Sequence, residues 1–348
     1  MPGLEKILII RFSSLGDIIL ASPLIRILRT AHPSAQIDFL VKAEYADAVR
    51  FNPHLSSVIT LKTSDRQELR SLKKHIRQTG YDLIIDIHNS LRSRYLRWGA
   101  GAVHTSVVKK RVVKRFFLIS LGWNFYRNNV SVADRYCETV RKYGVSDDGE
   151  GLEIFFPEET RSAIASVMER FKPEKYDIIV GVGPTARHST KRWLPERFVE
   201  LGVALAKHHH CRIFLFGNRE ENDFCGDIAQ MINAHTGHGI AENFAGKLTL
   251  LETAAALDYC NVVVSNDSAL MHIAAARKRS IVAIFGSTVK EFGFFPYRTR
   301  HIIVERNDVR CRPCSHIGLD HCPKKHFRCM KEITAPDVMN ALEEALGR

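Results

Sequence analysis

The chain has 348 residues, 45% of them hydrophobic, and 50 Lys and Arg against 38 Asp and Glu give it a formal charge of +12 and a pI near 9.4. That length suits two domains, each with a core large enough to be stable, and it excludes a small disulfide-stapled module. The charge favours an anionic partner, whether a nucleic acid, a membrane surface or a phosphorylated or acidic substrate, without choosing among them. No apolar run approaches the roughly 18 to 20 residues of a bilayer-spanning helix, and Arg11 and Asp17 interrupt the N-terminal apolar segment. The expected location is the cytoplasm, with a basic face suited to resting on anionic lipid.

In chain order, the first expected element is a strand at KILII, 6–10, with no polar alternation, as suits a parallel strand covered on both faces. It breaks into Ser13-Ser14-Leu15-Gly16-Asp17, a tight polar turn at a strand's carboxyl end, the edge of an open parallel sheet where ligands collect. Asp17 at the start of the next helix reads equally as a helix cap and as a catalytic acid. A helix is expected over 18–31, then a strand at 36–41, a helix near 44–51, a strand at 57–61, a helix near 65–78 and a strand at 82–87. This repeated β-α order predicts a parallel, doubly wound sheet. Residues 101–130 are less regular, and their run Lys109, Lys110, Arg111, Lys114 and Arg115 stands beside Phe116, Phe117 and Trp123. Such a run is usually a solvated face, yet it also suits a phosphorylated, lipid-bearing partner.

The pattern loosens between Asp147 and Pro173, where the domain boundary is placed, giving an N-terminal domain of 1–157 and a C-terminal domain of 158–348. After a helix at 158–171, a second β-α series begins with strand 176–181 and helix 195–208, and continues with strands at 212–216, 261–264 and 281–285. Two successive Rossmann-like domains result, with a C-terminal helix able to pack back on the first. In the second, Val262 to Val264 lead into Ser265-Asn266-Asp267-Ser268 and a helix carrying Met271 and His272. A helix start at a strand's end presents free N–H groups to a phosphate. His272 reads equally as a pyrophosphate contact and as a packed side chain. Upstream, GVGPTARHSTKRWLPERF supplies Thr185, Ser189, Thr190, Lys191 and Arg192, hydroxyls and cations suited to a diphosphate. The first domain offers His88-Asn89-Ser90-Leu91-Arg92 after its 82–87 strand. No G-x-x-x-x-G-K-[ST], H-E-x-x-H or early G-x-G-x-x-G occurs, which weakens P-loop, zincin and dehydrogenase readings.

Of eight cysteines, Cys137, Cys211, Cys225 and Cys260 are scattered and read as buried small hydrophobes. Cys311-x2-Cys314-x7-Cys322-x6-Cys329 cluster, with His316, His321 and His326 interleaved. The spacing is compatible with a structural zinc at these four cysteines, but only one C-x2-C pair is present, which favours a compact loop of packed thiols.

Taken together, RFSSLGDIILASP, DIHNSLRS, TKRWLPERF and SNDSALMHIAA resemble the ADP-heptose lipopolysaccharide heptosyltransferases, glycosyltransferase family 9. The resemblance implies an α/β protein of GT-B architecture, two Rossmann-like domains whose parallel sheets face a central cleft, acceptor in the first and nucleotide sugar in the second. It implies inverting transfer of heptose from ADP-heptose to an anionic, lipid-linked lipopolysaccharide core acceptor. No cofactor is required, no nucleic acid is expected, and the enzyme would be cytoplasmic, in peripheral contact with the inner membrane. Carried over by motif, the general base falls on Asp17, and acceptor contacts on Ser14, Gly16 and Arg92. Donor contacts fall on Thr190, Lys191, Asp267, Ser268, Ala269 and His272, with Ala269 standing where relatives often have Gly. The acid set against the ribose falls on Glu220, or in the other register Glu221. Because Asp17 stands at a helix start, it should be a weak, ionised base, so proton transfer would be late and leaving-group stabilisation would carry much of the rate. A GT-B enzyme using another nucleotide sugar in surface polysaccharide synthesis is the first alternative, and a basic nucleic-acid-binding protein the second.

Overall fold

The computed structural model describes residues 4–347. The chain divides into two compact units: one runs up to Arg111 and resumes at Val130–Phe155, and the other comprises Val112–Asn129 and Phe156 onwards. The 112–129 segment, given to the first domain on sequence, is therefore an excursion that clusters with the second.

The first stretch of chain forms β1 (Lys6–Ile10), α1 (Leu15–Ile19), α2 (Ser22–Ala31), β2 (Gln36–Lys42), α3 (Asp47–Arg50), β3 (Ser57–Leu61), α4 (Arg66–Thr79), β4 (Leu83–Asp86), α5 (Leu91–Arg97) and β5 (His104–Val107). The excursion carries α6 (Val112–Leu121), and the return to the first unit carries α7 (Val132–Cys137). The five strands are parallel in the order β3-β2-β1-β4-β5. Ile7 to Ile10 are fully buried, as an unalternating apolar strand in mid-sheet requires. The helix expected over 18–31 is instead two, because Pro23 has no N–H and its ring would clash with the carbonyl of a continuous helix, so α2 restarts with proline in its first turn. Asp65 caps α4 by accepting from Glu68 N at 2.8 Å, and Gly80 ends it in the left-handed region at φ +65°. Arg26 of α2 pairs with Asp148 at 2.6 Å and Glu153 at 2.8 Å, tying the end of the first unit back onto its second helix.

The second unit continues with α8 (Glu158–Glu169), β6 (Ile178–Gly183), α9 (Pro195–His208), β7 (Cys211–Leu215), α10 (Asn222–Thr236), β8 (Ala241–Asn243), α11 (Leu250–Leu257), β9 (Val262–Asn266) and α12 (Ala269–Ala276). It closes with β10 (Ser280–Phe285), β11 (His301–Glu305), α13 (Arg328–Lys331) and α14 (Ala335–Leu346). Its six strands are parallel in the order β11-β10-β9-β6-β7-β8. The C-terminal helix α14 belongs to the second unit, where its buried Val338, Met339 and Leu342 pack among α9, β10 and β11. His209, just past α9, adds a 2.5 Å contact to Glu343 of α14.

Each sheet has its first strand in the middle and winds outward in both directions. The order reverses between β1 and β4 in one sheet and between β6 and β9 in the other. Side chains just beyond the carboxyl ends of those four strands stand where an open α/β sheet parts to admit a ligand.

Candidate active site

At the β1/β4 reversal the turn after β1 presents Asp17 as the third residue of α1. Its Oδ2 accepts from the Ser14 hydroxyl at 2.7 Å and the Ser14 N–H at 3.2 Å. Its Oδ1 lies 2.8 Å from an Arg11 guanidinium nitrogen and accepts from the Tyr136 hydroxyl at 3.2 Å. The capping and catalytic readings are thus compatible: one oxygen closes the helix start and the other faces a cation and a phenol. Burial opposes ionisation of Asp17, but Arg11 and the two Ser14 donors outweigh it and hold the carboxyl below its usual range. Burial together with Asp17 pushes the Tyr136 phenol well above the usual value, so Tyr136 remains a proton donor.

From β4, buried Asp86 accepts from the N–H groups of His88 at 3.1 Å and Asn89 at 2.7 Å and pairs with Arg97 at 3.0 Å. That bonding fixes the turn on which His88 packs against Phe12, the rings tilted by 59° with centroids 4.8 Å apart. Burial, then the nearby Arg11 and Lys110 charges, pushes the His88 imidazole down to about 3, so it is neutral at physiological pH. Arg92, exposed on the first turn of α5, carries its guanidinium 5.9 Å from the Phe12 ring. Of the expected acceptor contacts, Ser14 serves Asp17 directly, Gly16 is buried inside α1, and Arg92 stands beside the same Phe12 that supports His88.

At the β6/β9 reversal a second ion pair forms: Lys191 Nζ lies 2.8 Å from Asp267 Oδ2, which also accepts from the Thr288 hydroxyl at 2.6 Å. The turn bearing Lys191 is anchored on both sides. Trp193 donates its backbone N–H to Asn266 Oδ1 at 3.0 Å and its indole N–H to Ile333 O at 2.9 Å, while its ring is buried. Thr190 exchanges backbone and hydroxyl bonds with Leu319, accepting from its N–H at 2.7 Å and donating to its carbonyl, and its hydroxyl also accepts from Ser287 at 3.0 Å. Ser268 is the N-cap of α12 by backbone geometry, but its hydroxyl bonds no N–H of that helix; it stands 3.3 Å from Ser265 Oγ. Ala269 opens the helix and His272 is buried in its first turn. Glu221 closes the turn at 218–221, accepting from Asn218 N at 2.8 Å, whereas the carboxylate of the exposed Glu220 forms no hydrogen bond among the described residues. Glu221 is thus engaged as a cap.

One reversal thus carries an acid held ionised, and the other a cation paired beside a helix start. Residues 69–324 match the family model Glycosyltransferase family 9 (heptosyltransferase). The chain belongs to glycosyltransferase family 9. Among similar proteins, a Campylobacter jejuni lipooligosaccharide heptosyltransferase 2 is 24% identical over 335 residues, covering 95% of each chain. The solved family 9 glycosyltransferase from Veillonella parvula superposes with a TM-score of 0.77 at 22% identity, covering 99% of this chain and 97% of its own. The E. coli ADP-heptose lipopolysaccharide heptosyltransferase II superposes with a TM-score of 0.72 at 22% identity, covering 98% of both. The architecture of this family 9 enzyme is accordingly GT-B, two Rossmann-like α/β units.

Cys311, Cys314, Cys322 and Cys329, contemplated as zinc ligands, lie in the segment after β11, where Cys311 Sγ stands 3.6 Å from His326 Nε2. Among the described residues no three His, Cys, Asp or Glu side chains come together as metal ligands. Hydrogen bonds hold the segment. Arg312 donates to the carbonyls of Gly286, Arg306 and Thr288 and pairs with Glu305 at 2.8 Å, and Cys314 N donates to Ser287 O. The Cys314 thiol donates to Cys311 O at 3.4 Å, and burial raises Cys314 to about 11 and Cys329 to about 12, keeping both protonated. The segment acts on the site through Gly318, whose φ is +101°. A methyl group there would lie 2.6 Å from His188 Cβ and 2.9 Å from Lys191 Cδ, so the glycine lets the segment close over the lysine stem.

Sequence reading passed over Arg11, Tyr136, Thr288 and Gly318. Arg11 carried a signal, a cation placed directly after an apolar strand. Tyr136 lies 119 residues from Asp17 and carried none.

Proposed function

We propose that this family 9 glycosyltransferase moves heptose from ADP-heptose to an anionic lipopolysaccharide inner-core acceptor with inversion at the anomeric carbon, Asp17 serving as general base. The observation that carries the reading is Asp17 itself: a nearly buried carboxylate, held ionised by Arg11 and Ser14, at the strand-order reversal of its sheet. Ser14, Gly16 and Arg92 belong to the acceptor side; Thr190, Lys191, Glu220, Asp267, Ser268, Ala269 and His272 belong to the donor side. No cofactor takes part in the steps below, and an enzyme of this substrate class works from the cytoplasmic face of a membrane that holds its acceptor.

The acceptor hydroxyl attacks the anomeric carbon from the face opposite ADP. Its oxygen forms the new glycosidic bond as the bond to the diphosphate oxygen breaks, and its proton passes to Asp17. A carboxylate held below its usual range is a weak base, so the proton moves late, once the hydroxyl oxygen has become positive through bond formation. Neutral His88 and the Tyr136 hydroxyl can orient the hydroxyl without competing for that proton at neutral pH. On the donor side the leaving diphosphate gains charge, which Lys191 and the N–H groups at the start of α12 stabilise. Asp267 acts through Lys191: together with Thr288 it aims the ammonium and shares its charge, instead of meeting the phosphates itself.

The test is product analysis after incubation with ADP-heptose and truncated lipopolysaccharide acceptors, with UDP- and GDP-sugars as parallel donors. The expected result is one added heptose, from ADP-heptose only, with anomeric configuration opposite to the donor's. Transfer from a UDP- or GDP-sugar instead, or retention of configuration, overturns the donor or the mechanism respectively.

A further inference from the structure

The helix α6, VVKRFFLISL, has seven apolar residues in ten and yet only Leu118 is buried. A ten-residue helix in water is sustained by tertiary burial of an apolar face, and this one leaves most of its apolar surface uncovered. Val113 is 68% exposed and Phe116 59%, and Trp123 and Phe125 in the following loop are 56% and 50% exposed. The aromatic rings hold one another: Phe117 stacks on Trp123 at 6.0 Å and meets Phe125 edge-on at 5.3 Å. The loop is fixed to the second unit by Asn124, which donates to Glu291 at 3.2 Å. Residues 109–129 contain six Lys and Arg and no Asp or Glu.

Resting on the proposed lipid-linked acceptor, we infer that residues 112–129 form a docking surface for an anionic phospholipid bilayer, inserting Phe116, Trp123 and Phe125 at headgroup level while Lys114, Arg115 and Arg127 meet lipid phosphates. Charge complementarity selects this occupant. A second copy of the same face would set cations against cations. A nucleic acid would satisfy the cations and stack on the rings but would leave Val112, Val113 and Leu121 in water. An interfacial bed of lipid satisfies all three kinds of side chain, the aromatic rings at the headgroup boundary, the aliphatic groups beneath it, and the cations at the phosphates. Because the surface belongs to the second unit, membrane attachment is carried by the half of the enzyme assigned to the nucleotide sugar.

The experiment is vesicle co-sedimentation of the full chain, without donor or acceptor, on phosphatidylcholine alone and on phosphatidylcholine with phosphatidylglycerol, at low and high salt. The expected result is binding to the anionic vesicles that salt weakens, lowered about tenfold or more by F116S/W123S/F125S. K114Q/R115Q/R127Q should abolish the preference for phosphatidylglycerol. Both variants should retain the wild-type melting temperature and turnover on a soluble truncated acceptor. Failure of the wild type to bind, equal binding by both triple variants, binding only when acceptor glycolipid is embedded, or displacement by duplex DNA overturns the inference. Vesicle binding without heptose transfer leaves the docking surface standing and overturns the proposed function; transfer without vesicle binding does the reverse.

Discussion

The two strand-order reversals carry the same device with its polarity exchanged. In the first unit Arg11 and Asp17 form a pair 2.8 Å apart in which the proposed working group is the acid and the cation holds it ionised. In the second, Lys191 and Asp267 form a pair of equal length in which the working group is the cation and the acid aims it. Both pairs are nearly buried, so each is short of water and leans on hydroxyl donors, Ser14 and Tyr136 in one and Thr288 in the other. The difference lies in what supports them. Asp17 is held by residues of its own turn and by one distant tyrosine, whereas the lysine turn is clamped by β9 and by the segment around Leu319.

The largest break in this comparison is Asp17→Asn, which keeps the shape and removes the base. Turnover should fall by roughly 10² to 10⁴ while ADP-heptose affinity holds, read from kcat and from donor titration. Next, Lys191→Ala should lower kcat by about 10² or more, with a proportionally larger loss for donors with poor leaving groups. An asymmetric effect is expected from Arg11→Gln. In the native enzyme Asp17 is ionised above its lowered value, so kcat/KM should show no acid limb from the base until below the ordinary carboxyl range at about pH 4. Without the guanidinium, burial wins and the limb should move upward into the measurable range; a limb that stays put would show that Arg11 does not tune the base. The same shift bears on stability. Asp17 contributes fully above the unfolded carboxyl value near pH 4 and its contribution fades as pH falls through the folded value. A smaller effect on activity, several-fold in donor KM together with a lowered melting temperature, is expected for Gly318→Ala, since alanine is strained at φ +101° and the added methyl pushes on His188 and the Lys191 stem. Smallest for activity is Asp65→Ala, which should cost about 1 kcal/mol of stability by uncapping α4 and leave transfer kinetics unchanged.

Most of the sheet was legible because buried parallel strands such as Ile7 to Ile10 are written as unbroken apolar runs. Helix α9 emerged over the same residues, 195–208, since Pro195 marks its start and its amphipathic stripe is continuous. The short strands were lost: β5 and β8 have three or four residues, and β11 is half-buried throughout. Helix α6 was passed over for a related reason, being apolar without the burial that normally accompanies such a pattern. At the site, motifs located Asp17, Lys191 and the start of α12 because strand ends and turns are local. They could not locate Tyr136 or Gly318, whose roles come from contacts across more than a hundred residues.

The excursion at Val112–Asn129 bears on how the protein is made and cut. Tyr136, which completes the setting of Asp17, leaves the ribosome only after this segment, while the segment's own structural home is not synthesised until Phe156 and beyond. For a time the nascent chain therefore carries an exposed aromatic helix with nothing of its own unit to rest on. A chimera joined at a single point near residue 157 would separate that helix from its unit, so exchanging halves between relatives calls for three junctions, near 111, 130 and 156.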